Sequence, residues 1–146
     1  MRLVFGLAII SLGISASAGS DIKLKETAVK MVPGAKLVVE DGHEFKFQTA
    51  KGTIVEVELH RDGSIDEASG DVALNDIFHP GRGLLTLTDA INALKKAGKS
   101  PVGDWSFEKS MLHGWIYEFD GIENGKEMEY AIDATNGKLV IDRRDF

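Results

Sequence analysis

Apolar residues recur at helical spacing in two stretches of the chain. The first stretch covers residues 24–32 and ends at the breaker pair Pro33-Gly34. The second begins at Thr88, which we expect to act as an N-cap, and ends at Gly98 after two lysines. Each stretch predicts one amphipathic helix.

Elsewhere apolar and polar residues alternate, as they do in strands with one buried face. Four pairs of turn-forming residues interrupt the alternation: Asp41-Gly42, Asp62-Gly63, Asn124-Gly125 and Asn136-Gly137. This pattern predicts a series of antiparallel hairpins after each helix. Residues 66–82 show no sustained period, so we place a connector at residues 71–84.

The two halves of the chain show matching patterns. Residues 44–48 align with 104–108, and residues 52–59 align with 114–121. The match indicates an internal duplication. We therefore predict an α+β protein of two tandem repeats, at residues 19–70 and 85–146. In each repeat, one helix is expected to pack on an antiparallel β-meander.

The first 18 residues have the features of a signal peptide. Arg2 precedes an apolar run over residues 3–14, and Ala16-Ser17-Ala18 fits the small-x-small cleavage motif. We expect cleavage near Ala18 and a periplasmic or secreted mature protein. The run is shorter than the roughly 20 residues of a membrane-spanning helix, so no membrane insertion is expected. The sequence has no cysteine, so neither a lipid anchor nor a disulfide is expected.

Charge argues against nucleic acid as a partner. The sequence has 17 Lys and Arg against 23 Asp and Glu, a formal net charge of −6. The basic residues are scattered among acids and form no basic strip with interleaved aromatic residues. Acidity of this kind favours solubility over binding to a polyanion.

Candidate catalytic and metal-binding residues form no recognised motif. The imidazoles are His43, His60, His79 and His113, and none lies in an H-x-x-x-H or H-E-x-x-H pattern. The serines lack a nucleophile elbow. The acid pairs Glu56 with Glu58 and Glu127 with Glu129 have strand spacing, which places each pair on a solvated face. We predict no catalytic site, no metal site and no cofactor.

Three segments of the C-terminal half match a known family pattern. They are the helix at residues 88–97, the glycine-led aromatic strand at residues 114–119, and the run Asp133-Ala134-Thr135-Asn136-Gly137-Lys138. This run fits the motif Asp-Ala-x-x-Gly-Lys, and the half resembles the PepSY domain family. The N-terminal half resembles a degenerate copy, because Gly52 and Val55-Glu56-Val57 fit but the closing motif is missing near residues 66–71.

The resemblance implies a non-catalytic domain of secreted and envelope proteins. The family occurs in propeptides of thermolysin-like metallopeptidases and is proposed to inhibit or regulate peptidases. Its fold is similar to the tandem repeats of β-lactamase inhibitor proteins. We therefore expect a binding module for a peptidase or another envelope protein. The alternative is a periplasmic carrier of a small ligand or metal, with a pocket between the repeats; an enzyme ranks below both.

Aromatic residues at strand spacing dominate the second half, and such a set is typical of a core under a helix. The set is Trp105, Phe107, Trp115, Tyr117, Phe119 and Tyr130. Because Trp and Tyr are enriched at interface hot spots, we also predict partner contacts for Trp105, Trp115 and Tyr117. The sequence leaves the oligomeric state open, since exposed strand edges could pair between chains.

Overall fold

Eight strands form one antiparallel sheet, and their spatial order follows their order in the sequence. The computed structural model describes residues 21–72 and 77–146. The strands are β1 Lys36–Asp41, β2 Glu44–Gln48, β3 Ile54–Leu59, β4 Ile65–Asp71, β5 Pro101–Ser110, β6 Gly114–Glu123, β7 Lys126–Asp133 and β8 Leu139–Arg144. Helix α1 covers residues 21–31 of the described chain, and α2 spans Leu87–Lys96.

The prediction of two separate helix-on-meander repeats is wrong, although the α+β class fits in part. Strand β4 pairs with β5, with Ala68 opposite Phe107 and Gly70 opposite Trp105. This pairing makes one continuous sheet from strands that were expected to belong to different repeats. It is favourable because it satisfies the backbone groups of two strand edges that separate meanders would leave unpaired.

Strand β4 occupies part of the segment that was expected to be irregular. Its core-facing positions include Ala68 and Gly70, whose small side chains lie opposite large aromatic residues of β5. The strand therefore lacks the alternation of large apolar residues that would have identified it in the sequence.

Both helices pack on the same face of the sheet. An unbroken row of buried residues crosses six neighbouring strands in register: Phe45, Val57, Ala68, Phe107, Tyr117 and Ile132. Leu24 and Ala28 of α1 and Leu87 and Leu94 of α2 belong to the same cluster as this row. A single hydrophobic core therefore lies between the helices and the sheet.

The N-cap of α2 is Thr86, two residues before the predicted Thr88. The Thr86 Oγ1 accepts a hydrogen bond of 3.2 Å from the Asp89 backbone N–H. Leu87 is already helical and fully buried, so the helix must begin before Thr88 to place this side chain in the core.

Phe78 packs against the aromatic residues of β5 just before α2. Its ring centroid lies 5.2 Å from that of Trp105 and 5.4 Å from that of Phe107. The next residue, His79, donates its backbone N–H to the carbonyl of Met31 at the end of α1. This segment therefore ties α1 to the aromatic core under α2.

The predicted signal peptide, residues 1–18, lies outside the described residues. Within residues 21–72 and 77–146, no helix has the length and apolar character needed to cross a membrane.

Candidate binding surface

The sheet face opposite the helices is open and carries many carboxylates. Four glutamates are direct cross-strand neighbours on β2 to β5, and they form one row: Glu44, Glu58, Glu67 and Glu108. A second row runs beside it: Lys46, Glu56, Ser69, Ser106 and Glu118. Glu56 and Glu58 lie here because they alternate with buried residues of β3, as expected. We call this surface the acidic face.

Cations at two places on the acidic face offset part of its charge. The Lys46 Nζ lies 3.3 Å from Glu44 and 3.7 Å from Glu56, and it bridges neighbouring strands. Arg143 on β8 pairs with Glu129 on β7 at 2.9 Å. Like charges directly opposite each other destabilise a sheet, so the glutamates between these two pairs oppose folding.

Glu118 occupies the middle of β6 on the acidic face. Burial, as the largest cause, and the negative charges of Glu108 and Glu129 together raise the pKa of its carboxyl group to about 7. A side-chain hydrogen bond with Glu108 acts in the same direction, whereas Arg143 opposes the shift. The Glu118 carboxyl group is therefore partly protonated near neutral pH.

The pKa values of two neighbouring carboxyl groups are also raised. Partial burial and the charges of Glu108 and Glu58 raise the pKa of Glu67. Burial and the charge of Asp104 raise the pKa of Asp120 on β6. The acidic face therefore takes up protons more readily than isolated surface carboxylates do.

An open depression of about 440 Å³ lies on the acidic face. Its lining includes Ser69, Ser106, Glu118 and Asp120. The described residues contain no group of three or more His, Cys, Asp or Glu side chains arranged to hold a metal ion. Perturbed carboxyl groups occur in catalytic sites and also in structural charge clusters. Here the carboxyl groups lie side by side on neighbouring strands of the sheet, and their combined charge suits contact with a cationic surface.

Two of the four histidines that were considered as metal ligands, His43 and His60, have local side-chain contacts. The Nδ1 of His43 lies 3.1 Å from the Leu59 carbonyl oxygen. The Nε2 of His60 lies 3.5 Å from Asp66. Each ring is thus held by its own hairpin.

The three predicted partner-binding residues lie at different depths. Trp105 and Tyr117 are 1% and 0% exposed and belong to the core under α2. Trp115 is half-buried, and its ring stacks on that of Phe107 with centroids 5.1 Å apart. The assignment of partner contacts to these residues stays a prediction, and Trp115 is the one with surface available for such contact.

The turn between β5 and β6, residues 110–113, exposes two large apolar side chains. Met111 and Leu112 are 104% and 89% exposed. The Ser110 Oγ accepts hydrogen bonds from the backbone N–H groups of Leu112 and His113, at 3.2 and 3.3 Å. The sequence reasoning missed this turn. The available signal was two large apolar residues between Ser110 and Gly114, at a position where turns normally carry polar residues.

An open groove of about 850 Å³ runs between α2 and the β7–β8 turn. Leu85 and Ala93 form its apolar part, and Asp89, Lys95 and Lys96 lie along it. The groove is on the outer side of α2. It therefore differs from the pocket between two repeats that the carrier alternative requires.

Comparison with known families identifies the segment that contains α2, β5, β6 and β7. Residues 84–140 match the family model of the peptidase propeptide and YPEB domain, PepSY. The resemblance to the PepSY family is confirmed for these residues. The PepSY match includes Glu118, Trp115 and the exposed turn at residues 110–113, and it ends within β8.

A crystal structure from Clostridium difficile 630, of a protein named "putative lipoprotein", resembles this chain at 14% sequence identity. The similarity covers 85% of this chain and 90% of that chain, with a TM-score of 0.41. No curated protein matches the chain.

Proposed function

We propose that this protein is a non-catalytic binding module that regulates a peptidase or another protein of the cell envelope. The observation that carries the proposal is the PepSY match over residues 84–140, a domain described from peptidase propeptides. Fold alone is weak evidence for function, so the argument also depends on the surfaces that this segment presents.

The architecture supports a steric mechanism. Both helices cover one face of the sheet, so the other face and the hairpin turns are free to cover a partner. A stable protein interface buries about 800 Å² on each partner, an area that a sheet of eight strands can supply. The sheet is held by one core, and little ordering entropy would therefore oppose binding.

The negative charge of the acidic face orients an approaching partner. Its carboxylates attract a partner with a basic surface and repel acidic surfaces. Rim charges of this kind increase the association rate more than the final affinity. The apolar contacts that hold the complex must then come from the hairpin turns and from the exposed part of Trp115, which lies beside the β5–β6 turn on the helix-covered face of the sheet.

We also propose that the protein is exported, because residues 1–18 have the features of a signal peptide. The mature protein acts in the periplasm or outside the cell after cleavage near Ala18. There it can meet exported peptidases.

The test begins with immobilised mature protein, residues 19–146, and the envelope fraction of the source organism. Retained proteins are identified by mass spectrometry and purified. Their affinity for the module is then measured by calorimetry, and any peptidase activity is measured against increasing module concentration. We expect saturable binding of an envelope peptidase or a regulated envelope protein. Trp115→Ala should weaken it, whereas Val29→Ala, a change at an exposed position of α1, should not.

Two outcomes would overturn the proposal. One is a purified partner that binds but whose activity is unchanged at saturation, because regulation then fails. The other is retention of no protein together with a rise in melting temperature on addition of zinc or a small ligand. That second result would indicate a carrier of a metal or small ligand rather than a binding module for another protein.

A further inference from the structure

The β5–β6 turn differs in chemistry from the other hairpin turns of the described sheet. Those turns present small or polar residues, such as Asp41-Gly42, Asp62-Gly63, Asn124-Gly125 and Asn136-Gly137. The β5–β6 turn presents Met111 and Leu112 with almost their whole surfaces in water. Adjacent large apolar residues at a protruding tip are unfavourable in a free monomer and typical of a binding site.

Hydrogen bonds to Ser110, at the base of the β5–β6 turn, restrict the backbone of the turn. The Ser110 Oγ accepts from two backbone N–H groups of the turn, which limits the conformations of residues 111–113. The half-buried Trp115 follows it, stacked on Phe107, and the Lys109 Nζ lies 5.9 Å from the Trp115 ring centre. The backbone of the turn therefore cannot rearrange without losing the two Ser110 hydrogen bonds. A pre-ordered backbone loses little entropy on binding.

The shape of the tip selects the kind of partner. Two side chains on a convex turn fit a concave apolar pocket, whereas a flat interface would need a wider apolar surface. A lipid surface is disfavoured because the chain is acidic overall and a single short apolar segment gives only marginal membrane binding. Peptidases that cleave next to apolar residues carry concave pockets of the required kind.

We propose that the Met111–Leu112 turn is an anchor that inserts into the apolar substrate pocket of a peptidase. This inference rests on the proposed function and names the chemistry of the contact. The turn enters as a substrate segment would, and the acidic face next to β5 and β6 lies over the rim of the pocket. Inhibition follows because substrate and turn compete for the same pocket.

The first experiment uses purified chymotrypsin and thermolysin as probes with apolar pockets, and trypsin as a probe with an acidic pocket. The mature protein should inhibit at least one of the apolar-pocket enzymes competitively and leave trypsin unaffected. The double variant M111S/L112S should weaken this inhibition at least about tenfold, since each side chain loses its apolar burial.

The matched control is Ile122→Ser. Ile122 is 61% exposed near the opposite end of β6, so this variant removes an exposed apolar side chain far from the turn. It should inhibit as the wild type does. Circular dichroism should show the same folded state for all three proteins, because the replaced side chains lie in water.

The outcomes separate this inference from the proposed function. If neither apolar-pocket enzyme is inhibited while an envelope peptidase is retained and regulated, the anchor is wrong and the proposed function stands. Equal inhibition by wild type and M111S/L112S also refutes the anchor. Mass spectrometry gives a further check: rapid cleavage at residues 111–112 with loss of inhibition would make the turn a substrate.

Vesicles test the competing occupant. The mature protein is sedimented with phosphatidylcholine vesicles and with vesicles that contain phosphatidylglycerol, and we expect it to remain in the supernatant. Sedimentation that M111S/L112S abolishes would assign the turn to a lipid surface and overturn the peptidase anchor.

Discussion

The Tyr117 Oη donates a hydrogen bond of 2.7 Å to the main-chain carbonyl oxygen of Leu85. Leu85 lies just before α2, and its backbone N–H donates to the carbonyl of Ala134. Tyr117 is fully buried, and burial raises the pKa of its hydroxyl group, so it stays a neutral donor. The entry to α2 is thus fixed to strand β6 from inside the core.

Tyr117→Phe should therefore destabilise the protein. The change leaves the Leu85 carbonyl without this donor, at a cost of about 1–3 kcal/mol. Urea denaturation of wild type and variant at pH 7 measures the difference. Tyr130→Phe is the matched control, because the Tyr130 hydroxyl interacts with the half-exposed Glu123, which water can satisfy instead. A loss for Tyr117→Phe no larger than that of the control would contradict the assigned role.

The raised pKa of Glu118 predicts a pH-dependent stability. Its pKa is about 7 in the folded protein, against an ordinary value of 4.5. The fold therefore favours the protonated form. The stability that the protein gains from protonated Glu118, relative to the charged form, is fully present below about pH 4.5 and is lost as the pH rises through about 7.

Glu118→Gln should raise the free energy of unfolding at pH 8 relative to wild type, by roughly 0.5–1 kcal/mol after solvent screening. The gain should shrink at pH 5, where wild type is itself protonated. The slope that remains in the variant comes from Glu67 and Asp120, whose pKa values are also raised. Urea denaturation at both pH values measures the difference, with Glu26→Gln, at an exposed position of α1, as the control. Identical pH slopes for wild type and Glu118→Gln would refute this account.

Gly121 is required by the close approach of Tyr130. A Cβ atom at position 121 would overlap the Tyr130 ring, which lies across the β6–β7 pair. Gly121→Ala should destabilise by about 1–3 kcal/mol through overpacking. Combined with Tyr130→Leu, the alanine should cost less than it does alone, because the clashing ring atoms are gone. Thermal melts of the four proteins test this, and strict additivity would show that the clash is not the cause.

Phe78 and Ile77 provide a test of the shared core. Phe78 is fully buried against Trp105 and Phe107, whereas Ile77 is 45% exposed. Phe78→Ala should lower the free energy of unfolding by about 3–5 kcal/mol, and Ile77→Ala should lower it much less.

The continuous core also predicts that tryptophan fluorescence and far-ultraviolet circular dichroism report one unfolding transition. Two separate transitions would mean that the halves unfold independently.

Local elements of this protein could be predicted from the sequence alone. The period of Leu87, Ile91 and Leu94 located α2, and the Asn-Gly pairs located two hairpin turns, where Asn124, Gly125 and Gly137 have positive φ. The residues that carried the PepSY resemblance were also visible in the sequence, and the family match confirmed it for residues 84–140. These features depend on neighbouring residues, so their signals are local.

The tertiary structure decided how these elements join and which residues reach the surface. The β4–β5 pairing rests on backbone hydrogen bonds between distant segments, which leave little trace in the side-chain pattern of residues 65–71. Burial of Trp105 follows from which sheet face the helices cover, whereas Met111 and Leu112 are exposed because they lie in a turn at the end of the sheet. The raised pKa of Glu118 follows from neighbours on other strands. The sequence thus specified both helices and most of the strands. Long-range packing specified β4, the continuous sheet and the surfaces that the sheet presents, because those depend on contacts between residues far apart in the chain.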